Sequence, residues 1–337
     1  MESLYYTGSY GADLDATVAV VGFDETTGRI RVIDTLKGVA NASFVVPAHG
    51  HLLAIGESGA DSRLATVSLK GDGAGFGDLA VRQFAGVDPC HLDVSSTGEI
   101  AVANYSSGDV VIFKNIRDFM NGEGQRVVFS GCGPDERRQK SPHAHCVQFS
   151  HDGGRLYVCD LGSDRIHVLT KTDSGFIHTG SIVTRGGYGP RMICLNGAGT
   201  IGYVICELSG MVLVVDLAGE SPVVIQEIEA DRWHSRGSGD VRLSPDGRFL
   251  YASVRLANDG IAIFHVDPLT GSLTYSGYQP TGSHPRNFLI TGSGKHLLAA
   301  CRDANAVEVY CRDSETGELR LTGNRVTLPR VVCIRPR

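Results

Sequence analysis

Charged side chains recur at one fixed distance from regularly spaced glycines. Eight residues before these glycines lie, in chain order, His145, Arg191, Gly239 (followed by Asp240), Arg286 and, near the C-terminus, Arg330. Each position precedes an apolar run that reads as a β-strand, where packing alone does not favour an ionisable side chain. The recurring position therefore predicts a functional ring rather than a set of core residues.

A second set of side chains ends the strand that follows each glycine. It comprises Glu57, Asn104, Asp160, Glu207, Arg255 and Arg302. Antiparallel neighbours run in opposite directions, so the strand that leaves the glycine ends beside the start of the strand that enters it. We therefore expect both sets at one mouth of any channel that the first strands line. Four of these residues should converge there: Arg191, Glu207, Arg255 and Arg286.

This mixture of side chains is suited to a small anionic ligand. Arginine holds a carboxylate or phosphate through two parallel hydrogen bonds, and a histidine with a glutamate can move protons near neutral pH. His143 lies two residues before His145, so both should face the same way on a strand, although one of them could be a satisfied core histidine. His284 precedes Arg286 in the same manner, and it fits equally a residue that flanks the Pro285 turn.

Signatures of other chemistries are missing from the sequence. The chain has no G-x-S-x-G, no P-loop, no H-E-x-x-H and no carboxylate-rich calcium or magnesium loop. The residues alone predict acid–base chemistry on an acid without metal or cofactor, or only the binding of an acid. The nine cysteines show no C-x-x-C pair and no zinc spacing, so we expect mostly buried, reduced thiols and a cytoplasmic location.

The elements that would position these residues repeat along the chain. An apolar strand, a turn ending in glycine and a second apolar strand recur at Gly50, Gly98, Gly153, Gly199, Gly247 and Gly294, with gaps of 46 to 55 residues. That spacing accommodates four strands, as in kelch or WD-type blades. A seventh copy is split between the terminal VVCIRP and the initial LYYTGS, and pairing them removes an unpaired edge.

We therefore predict an all-β, seven-bladed β-propeller with four antiparallel strands per blade. The N- and C-terminal strands share the closing blade, and residues 1–337 form a single domain. The polar, glycine-rich segment 121–141, basic at Arg137, Arg138 and Lys140, reads as a long surface loop between blades. Asp160 is expected to pair with Arg165.

Composition limits the partners of the protein. The net charge is −6 with no basic stripe, which argues against nucleic acid. No run approaches ~18 apolar residues, and the N-terminus has neither the basic nor the apolar region of a signal peptide, which argues against a membrane. We expect a monomer or a weak homo-oligomer that binds a small anionic molecule.

Several segments resemble one known family. They are residues 141–150 (SPHAHCVQFS), 158–166 (VCDLGSDRI), 189–192 (GPRM) with 206–208 (CEL), 240–255, and 284–286 (HPR) after 277–280 (GYQP). In order and spacing they resemble the lactonase family of seven-bladed propellers, which contains propeller-type 6-phosphogluconolactonases and fungal carboxy-muconate cycloisomerases. The resemblance implies lactone chemistry without metal.

The resemblance also implies roles for particular residues. A histidine, an arginine and a glutamate from successive inner strands form the catalytic group proposed for the cycloisomerase branch. They fall on the His143/His145 pair, Arg191 and Glu207 here. A further arginine for the substrate's acid group falls on Arg255 or Arg286. The complete substrate-binding set that we predict comprises Arg255, Arg286, Asp240, His284 and Arg302.

Three hypotheses follow. The first is hydrolysis of a sugar-acid lactone, with 6-phosphogluconolactone as the leading substrate. Arg191 and Arg286 would hold the phosphate or polarise the lactone carbonyl, His145 or His143 would activate water, and Glu207 would orient that water or act as the partner acid. The second is a carboxy-muconate-type cycloisomerase or another sugar lactonase on the same site. The third is a non-catalytic binding scaffold, because fold does not fix function.

Overall fold

The computed structural model of the chain describes residues 2–219 and 221–337, and its regular secondary structure is almost entirely β-strand. Within these residues the strands form seven four-stranded sheets, here called blades. Helical structure in the same residues is limited to a 3-10 turn, Gly59–Asp61, and to α1, Ile116–Asn121. No helix in this part of the chain has the length and apolarity needed to cross a bilayer.

The strands have the following bounds. The chain begins with β1 (Glu2–Ser9), β2 (Val18–Asp24), β3 (Ile30–Leu36), β4 (Ala42–Ala48), β5 (His51–Gly56), β6 (Arg63–Lys70) and β7 (Gly75–Gln83). It continues with β8 (Pro89–Val94), β9 (Ile100–Asn104), β10 (Asp109–Phe113), β11 (Gln125–Val128), β12 (Ala144–Phe149), β13 (Arg155–Asp160), β14 (Arg165–Thr172), β15 (Gly175–Val183), β16 (Pro190–Leu195), β17 (Ile201–Cys206), β18 (Met211–Asp216) and β19 (Val223–Glu229). The last strands are β20 (Val241–Leu243), β21 (Phe249–Val254), β22 (Gly260–Val266), β23 (Leu273–Pro280), β24 (Pro285–Ile290), β25 (His296–Cys301), β26 (Ala306–Arg312), β27 (Leu319–Thr327) and β28 (Val331–Pro336).

The closing blade joins the two ends of the chain. Six blades use four consecutive strands, from β4–β7 to β24–β27, whereas the seventh has the order β28-β1-β2-β3. β28 runs antiparallel to β1, with Thr7 opposite Ile334 and Gly8 opposite Cys333. A Cβ at Gly8 would lie 2.3 Å from the carbonyl oxygen of Ala42, so only glycine fits where β1 packs against β4 of the next blade. The predicted sharing of one blade by both termini is confirmed.

The turn glycines that defined the repeat all have a left-handed backbone. Their φ angles lie between 68° and 97° at Gly50, Gly98, Gly153, Gly199, Gly247 and Gly294. Glycine adopts this conformation without the steric cost that a Cβ brings. The regular spacing of these residues therefore follows from the turn geometry that each blade requires.

The described contacts divide the chain into two compact units. The first unit comprises Met1–Gly56, Ala65–Val81 and Gly239–Arg337, and the second comprises Glu57–Leu64 and Arg82–Ser238. In the second unit, Phe149, Val158 and Leu169 belong to one buried cluster. In the first unit, Phe23, Leu298 and Val309 belong to another. Inner strands are apolar on both faces, since both faces pack, whereas outer strands such as β27 alternate buried and exposed residues.

Candidate active site

A β-bulge at the start of the first strand of a blade aims the predicted side chains. In the second unit the β12–β13 register passes from Ala144 opposite Asp160 to Cys146 opposite Cys159, which leaves His145 as the extra residue. The β16–β17 register leaves Arg191 in the same way, between Pro190 and Met192. A bulge bends its strand and re-aims the extra side chain. His145 and Arg191 therefore occupy equivalent positions in neighbouring blades, as the repeat predicts.

Glu207 lies between two guanidinium groups in the second unit. Its Oε2 is 2.7 Å from Nε of Arg191, and its Oε1 is 2.7 Å from Nη2 of Arg138. Arg191 and Glu207 are 3% and 7% exposed, so both charges depend on this pairing for their stability. Burial alone would lower the pKa of Arg138, but attraction to Glu207 and their hydrogen bond raise it above its ordinary value.

Tyr105 joins the two histidines to this charged group. Its ring stacks on His143 with centroids 4.4 Å apart, and it meets His145 edge-on at 5.6 Å. Its hydroxyl accepts a hydrogen bond of 3.2 Å from Nη2 of Arg138. Burial raises the pKa of Tyr105, against the opposing effect of Arg138, so the phenol stays protonated near neutral pH. The second unit therefore assembles all four predicted catalytic residues: His143, His145, Arg191 and Glu207.

The tautomer of His143 follows from one hydrogen bond. Its Nδ1 lies 2.9 Å from the backbone carbonyl oxygen of Tyr105, which can only accept. Nδ1 therefore carries the proton in the neutral ring, and Nε2 carries the lone pair. The sequence predicted that His143 and His145 share one face of a strand. That prediction is wrong, because β12 begins at Ala144, after His143, and because His145 is the bulged residue. The two rings nonetheless contact the same tyrosine.

Arg138 belongs to a segment that the sequence predicted to be a surface loop. That interpretation is incomplete, because Gln125–Val128 form β11, which pairs with β10, and because Gln139 is fully buried and its Nε2 donates to the Leu161 carbonyl at 2.9 Å. Asp135 accepts hydrogen bonds from the backbone amides of Arg137 and Arg138, and its other oxygen pairs with Arg236. The segment is an ordered part of the candidate site. Its basic residues, Arg137, Arg138 and Lys140, were the only feature of the sequence that indicated this role.

The sequence analysis also missed Tyr105. It took Asn104, one residue earlier, as the position equivalent to Glu207. The Glu207 amide donates to the Gly189 carbonyl, and the equivalent bond runs from the Tyr105 amide to Asp88. Asn104, which the alignment selected, is instead fully buried and donates to Asp109. Gly189 and Asp88 each directly precede the first strand of their blade, so this backbone bond, which the sequence alone does not show, places Tyr105 at the position of Glu207.

Gly162 supports the His143 backbone at very close range. A Cβ there would lie 1.9 Å from the Ser141 carbonyl oxygen and 2.8 Å from the His143 nitrogen. Asp160 Oδ1 accepts the amides of both His143 and Gly162. The Asp160 carboxylate pairs with His167 at 3.2 Å, while Arg165, its predicted partner, donates to the Ser163 carbonyl.

We expect Gly162→Ala to destabilise the fold by about 1–3 kcal/mol, since backbone atoms must move to admit the methyl group. The same shift should displace His143 and reduce activity. Urea unfolding measures the first effect. Gly180→Ala is the matched control, because a Cβ at Gly180 meets nothing within 4 Å. Equal stability of the two variants would show that the close approach at Gly162 carries no cost.

The first unit contains a second cluster, centred on His284. Nη1 of Arg255 lies 2.9 Å from Nε2 of His284, and Nδ1 of His284 lies 3.5 Å from Oδ2 of Asp303. Arg302 contacts both oxygens of Asp303, at 2.7 and 2.9 Å. Arg255 and His284 are both buried. Three predicted substrate-binding residues, Arg255, His284 and Arg302, are thus brought together here.

Positive charge around His284 keeps its ring neutral. Burial, followed by Arg255, Arg302 and Arg286, lowers the pKa of His284 to about 3, and Asp303 opposes the shift only weakly. The neutral ring accepts from the Arg255 guanidinium, which has no acceptor of its own. The cluster therefore favours binding of an anion over proton transfer near neutral pH.

We expect the free energy of unfolding to fall as the pH drops below about 6.5. His284 then binds a proton in the unfolded chain, whereas in the folded chain it stays unprotonated until about pH 3. His284→Asn should remove about 1–2 kcal/mol of the difference between pH 7.5 and pH 5. Asparagine tolerates the φ of +61° at this residue. His49→Asn, at an exposed histidine with φ +48°, is the control in urea unfolding at both pH values. An unchanged pH dependence in His284→Asn would contradict this account.

Arg286 and Asp240, the remaining predicted residues, differ in their surroundings. Arg286 is the bulged residue of β24, and its Cζ lies 5.5 Å from the centroid of the Tyr10 ring. Asp240 is 1% exposed, and its carboxylate accepts from Val241, Arg242 and Asn287. These contacts favour a structural role for Asp240 between neighbouring strands. That the two clusters act on one ligand stays a prediction.

The charged side chains of the described residues do not form a metal-binding cluster. Within 2–219 and 221–337, no group of three or more histidine, cysteine, aspartate or glutamate side chains is placed to hold a metal ion. The charged clusters of both units consist of arginines paired with single carboxylates, a composition suited to anions rather than cations.

Comparisons with known proteins agree with the predicted fold. A family model described as lactonase, 7-bladed beta-propeller, matches residues 4–336. A 6-phosphogluconolactonase of Formosa agariphila is 31% identical in an alignment of 339 positions that covers 94% of each chain. One of Bacillus subtilis is 30% identical in an alignment of 258 positions that covers 74% of this chain and 73% of its own. The crystal structure of a candidate 6-phosphogluconolactonase from Bacteroides fragilis has a TM-score of 0.92 at 34% identity, covering 99% of this chain and 97% of its own. The predicted seven-bladed propeller is confirmed.

Proposed function

Since the chain belongs to the lactonase family of seven-bladed β-propellers, we propose that it hydrolyses 6-phosphogluconolactone to 6-phosphogluconate. The names of the relatives from Formosa agariphila and Bacillus subtilis support this substrate. The observation that carries the proposal is the buried Glu207 carboxylate between Arg191 and Arg138, with two histidines joined to the group through Tyr105.

Lactone hydrolysis makes three demands on such a group. A base must take a proton from the attacking water, a cation or donor must stabilise the oxygen anion that forms at the carbonyl, and the ring oxygen must regain a proton as its bond to carbon breaks. The water oxygen becomes part of the new carboxylate, so the overall reaction consumes one water and no other reactant. The second-unit cluster holds a group suited to each demand.

We assign these demands to individual side chains. Nε2 of His143 carries a lone pair and takes the proton from water, with His145 as the alternative base. The Arg191 guanidinium faces the developing oxygen anion. Glu207 fixes Arg191 and Arg138 through its two oxygens and orients the water. The protonated histidine then returns its proton to the leaving ring oxygen, and the second proton of the water is released to solvent as the new carboxylic acid ionises.

The proposal is tested by alkali uptake at constant pH with purified protein. The uncatalysed opening of the lactone is subtracted, and the assay is repeated with a metal chelator. We expect hydrolysis of 6-phosphogluconolactone well above the uncatalysed rate and unaffected by the chelator. A panel containing gluconolactone and a carboxy-muconate lactone examines the alternative activities. Failure to accelerate any lactone would reject catalysis and favour a binding scaffold.

A cytoplasmic location is also proposed. No disulfide joins the cysteines of the described residues, and most of their thiols are buried. Reduced thiols are typical of proteins in the cytosol, where glutathione and thioredoxin are reducing. Fractionation of cells that produce the full chain, probed with an antibody, tests this location.

A further inference from the structure

The ring of Tyr10 contacts the guanidinium groups of two arginines in the first unit. The Cζ atoms of Arg286 and Arg330 each lie 5.5 Å from the Tyr10 ring centroid. An aromatic ring attracts a guanidinium at this distance and limits its motion. The Tyr10 amide also donates to the Arg330 carbonyl at 3.1 Å, so that backbone and ring are held together. The two guanidiniums are therefore preorganised on one support.

Arg330 has a backbone conformation that the fold must enforce. Its φ is +48°, a left-handed conformation that is sterically unfavourable for a residue with a Cβ. The Asn305 side chain accepts the Arg330 amide at 2.8 Å and fixes this geometry. Strain of this kind, held by surrounding contacts, occurs preferentially at functional sites.

The position of Arg330 in the blade differs from the sequence prediction. The bulge of β28 falls at Val332, because Cys333 pairs with Gly8 and Val331 with Ser9. Arg330 lies two residues before that bulge, as His284, with φ +61°, lies two residues before Arg286. Arg330 is thus the equivalent of His284 rather than of Arg286, and it adds a cation where the neighbouring blade has a neutral ring.

Positive charge dominates around this support. Asp303 is held by Arg302, and its pKa is lowered by Arg302 first and further by Arg330. Cations crowded in this way repel one another, and a ligand with two negative charges relieves that repulsion better than a neutral sugar does. A guanidinium fork also matches the oxygens of a phosphate group.

We propose that Arg286 and Arg330, held on the Tyr10 ring, form the phosphate subsite that makes the chain prefer a phosphorylated lactone. The inference rests on the proposed function for its substrate and names the residues that select it. It adds Tyr10, which the sequence did not select, and it gives a specific role to Arg330, which the sequence predicted only as a member of the ring.

The test compares paired ligands that differ only in the phosphate. We expect Arg330→Ala and Tyr10→Leu to lower the ratio of kcat/KM for 6-phosphogluconolactone over gluconolactone by about 10- to 100-fold. Tyr10→Phe, which keeps the ring, should retain the ratio. Arg320→Ala, at an exposed arginine of β27, is the control that should change neither rate. Thermal unfolding confirms that each variant is folded.

Calorimetric binding of 6-phosphogluconate and gluconate separates this inference from the proposed function. The protein could hydrolyse no lactone and still bind 6-phosphogluconate more tightly than gluconate. If Arg330→Ala then removes that preference, the phosphate subsite is supported and the proposed hydrolase activity is rejected. An equal loss for both ligands, or an unchanged preference in Arg330→Ala and Tyr10→Leu, overturns the subsite.

Discussion

Replacing Glu207 with glutamine is expected to lower kcat for 6-phosphogluconolactone by about 10²- to 10⁴-fold. The amide keeps the size of the side chain but removes the negative charge that Arg191 and Arg138 share. Both guanidiniums would lose the partner that fixes them, and the attacking water would lose an acceptor. Because the side chain is 7% exposed, solvent cannot replace the missing charge.

A matched substitution in the same blade provides the control. Glu227 of β19 accepts from the Tyr188 hydroxyl at 2.8 Å and pairs with Arg185, and it is more exposed than Glu207. Glu227→Gln removes a paired carboxylate without touching the proposed catalytic group, so kcat should stay within about 2-fold of wild type. Near-wild-type turnover in Glu207→Gln, in folded protein, would remove Glu207 from the mechanism.

Substitution of Arg191 by lysine is expected to lower kcat/KM by about 10²- to 10³-fold, comparable with the loss of an oxyanion donor. The guanidinium reaches Glu207 through Nε at 2.7 Å, a geometry that a lysine ammonium cannot reproduce while also facing a substrate. Steady-state kinetics on 6-phosphogluconolactone measure the effect. Arg185→Lys, at an exposed ion pair, should leave the kinetics unchanged.

The double variant shows whether Arg191 and Glu207 act as one unit. Residues that work together lose less in combination than the sum of their separate losses. We therefore expect Arg191→Lys with Glu207→Gln to be little worse than the more damaging single change. Fully additive losses would mean that the two side chains contribute independently and that their contact is only structural.

The fold could be predicted largely because its turns impose a strict requirement on sequence. Each blade needs a left-handed residue in the turn between its first two strands, and glycine meets this need in all six continuous copies. The split copy was identifiable because an open ring would leave an unpaired edge. Strand pairing between β28 and β1 then follows from the apolar pattern of both termini.

The side chains of the proposed catalytic group were predictable where they follow the repeat, and they were missed where their position depends on tertiary contacts. His145 and Arg191 lie at equivalent bulges, so their spacing from a turn glycine was informative. Arg138 reaches Glu207 across 69 positions of sequence from an insertion without a counterpart in the other blades. Such a contact depends on the folding of that insertion around buried Gln139, which no periodicity records.

Differences in strand register between blades explain the remaining errors. Glu207 lies eight residues after Gly199, whereas Tyr105 lies seven residues after Gly98, so a fixed count from the turn glycine does not find Tyr105. In the closing blade the bulge falls at Val332, so Val332, and not the predicted Arg330, is the equivalent of Arg286. Strand register is therefore the information that a single sequence lacked.

Hydrolysis of the lactone by the Glu207 group is measured most directly by tracing the oxygen of the attacking water. Hydrolysis of 6-phosphogluconolactone in heavy-oxygen water, stopped early and analysed by mass spectrometry, gives the rate at which label enters the product carboxylate. For wild-type protein we predict incorporation far faster than in the buffer alone, and for Glu207→Gln a rate close to that of the buffer. Incorporation at the buffer rate with wild-type protein, or equal rates for both proteins, would contradict the assignment of lactone hydrolysis to this group of residues.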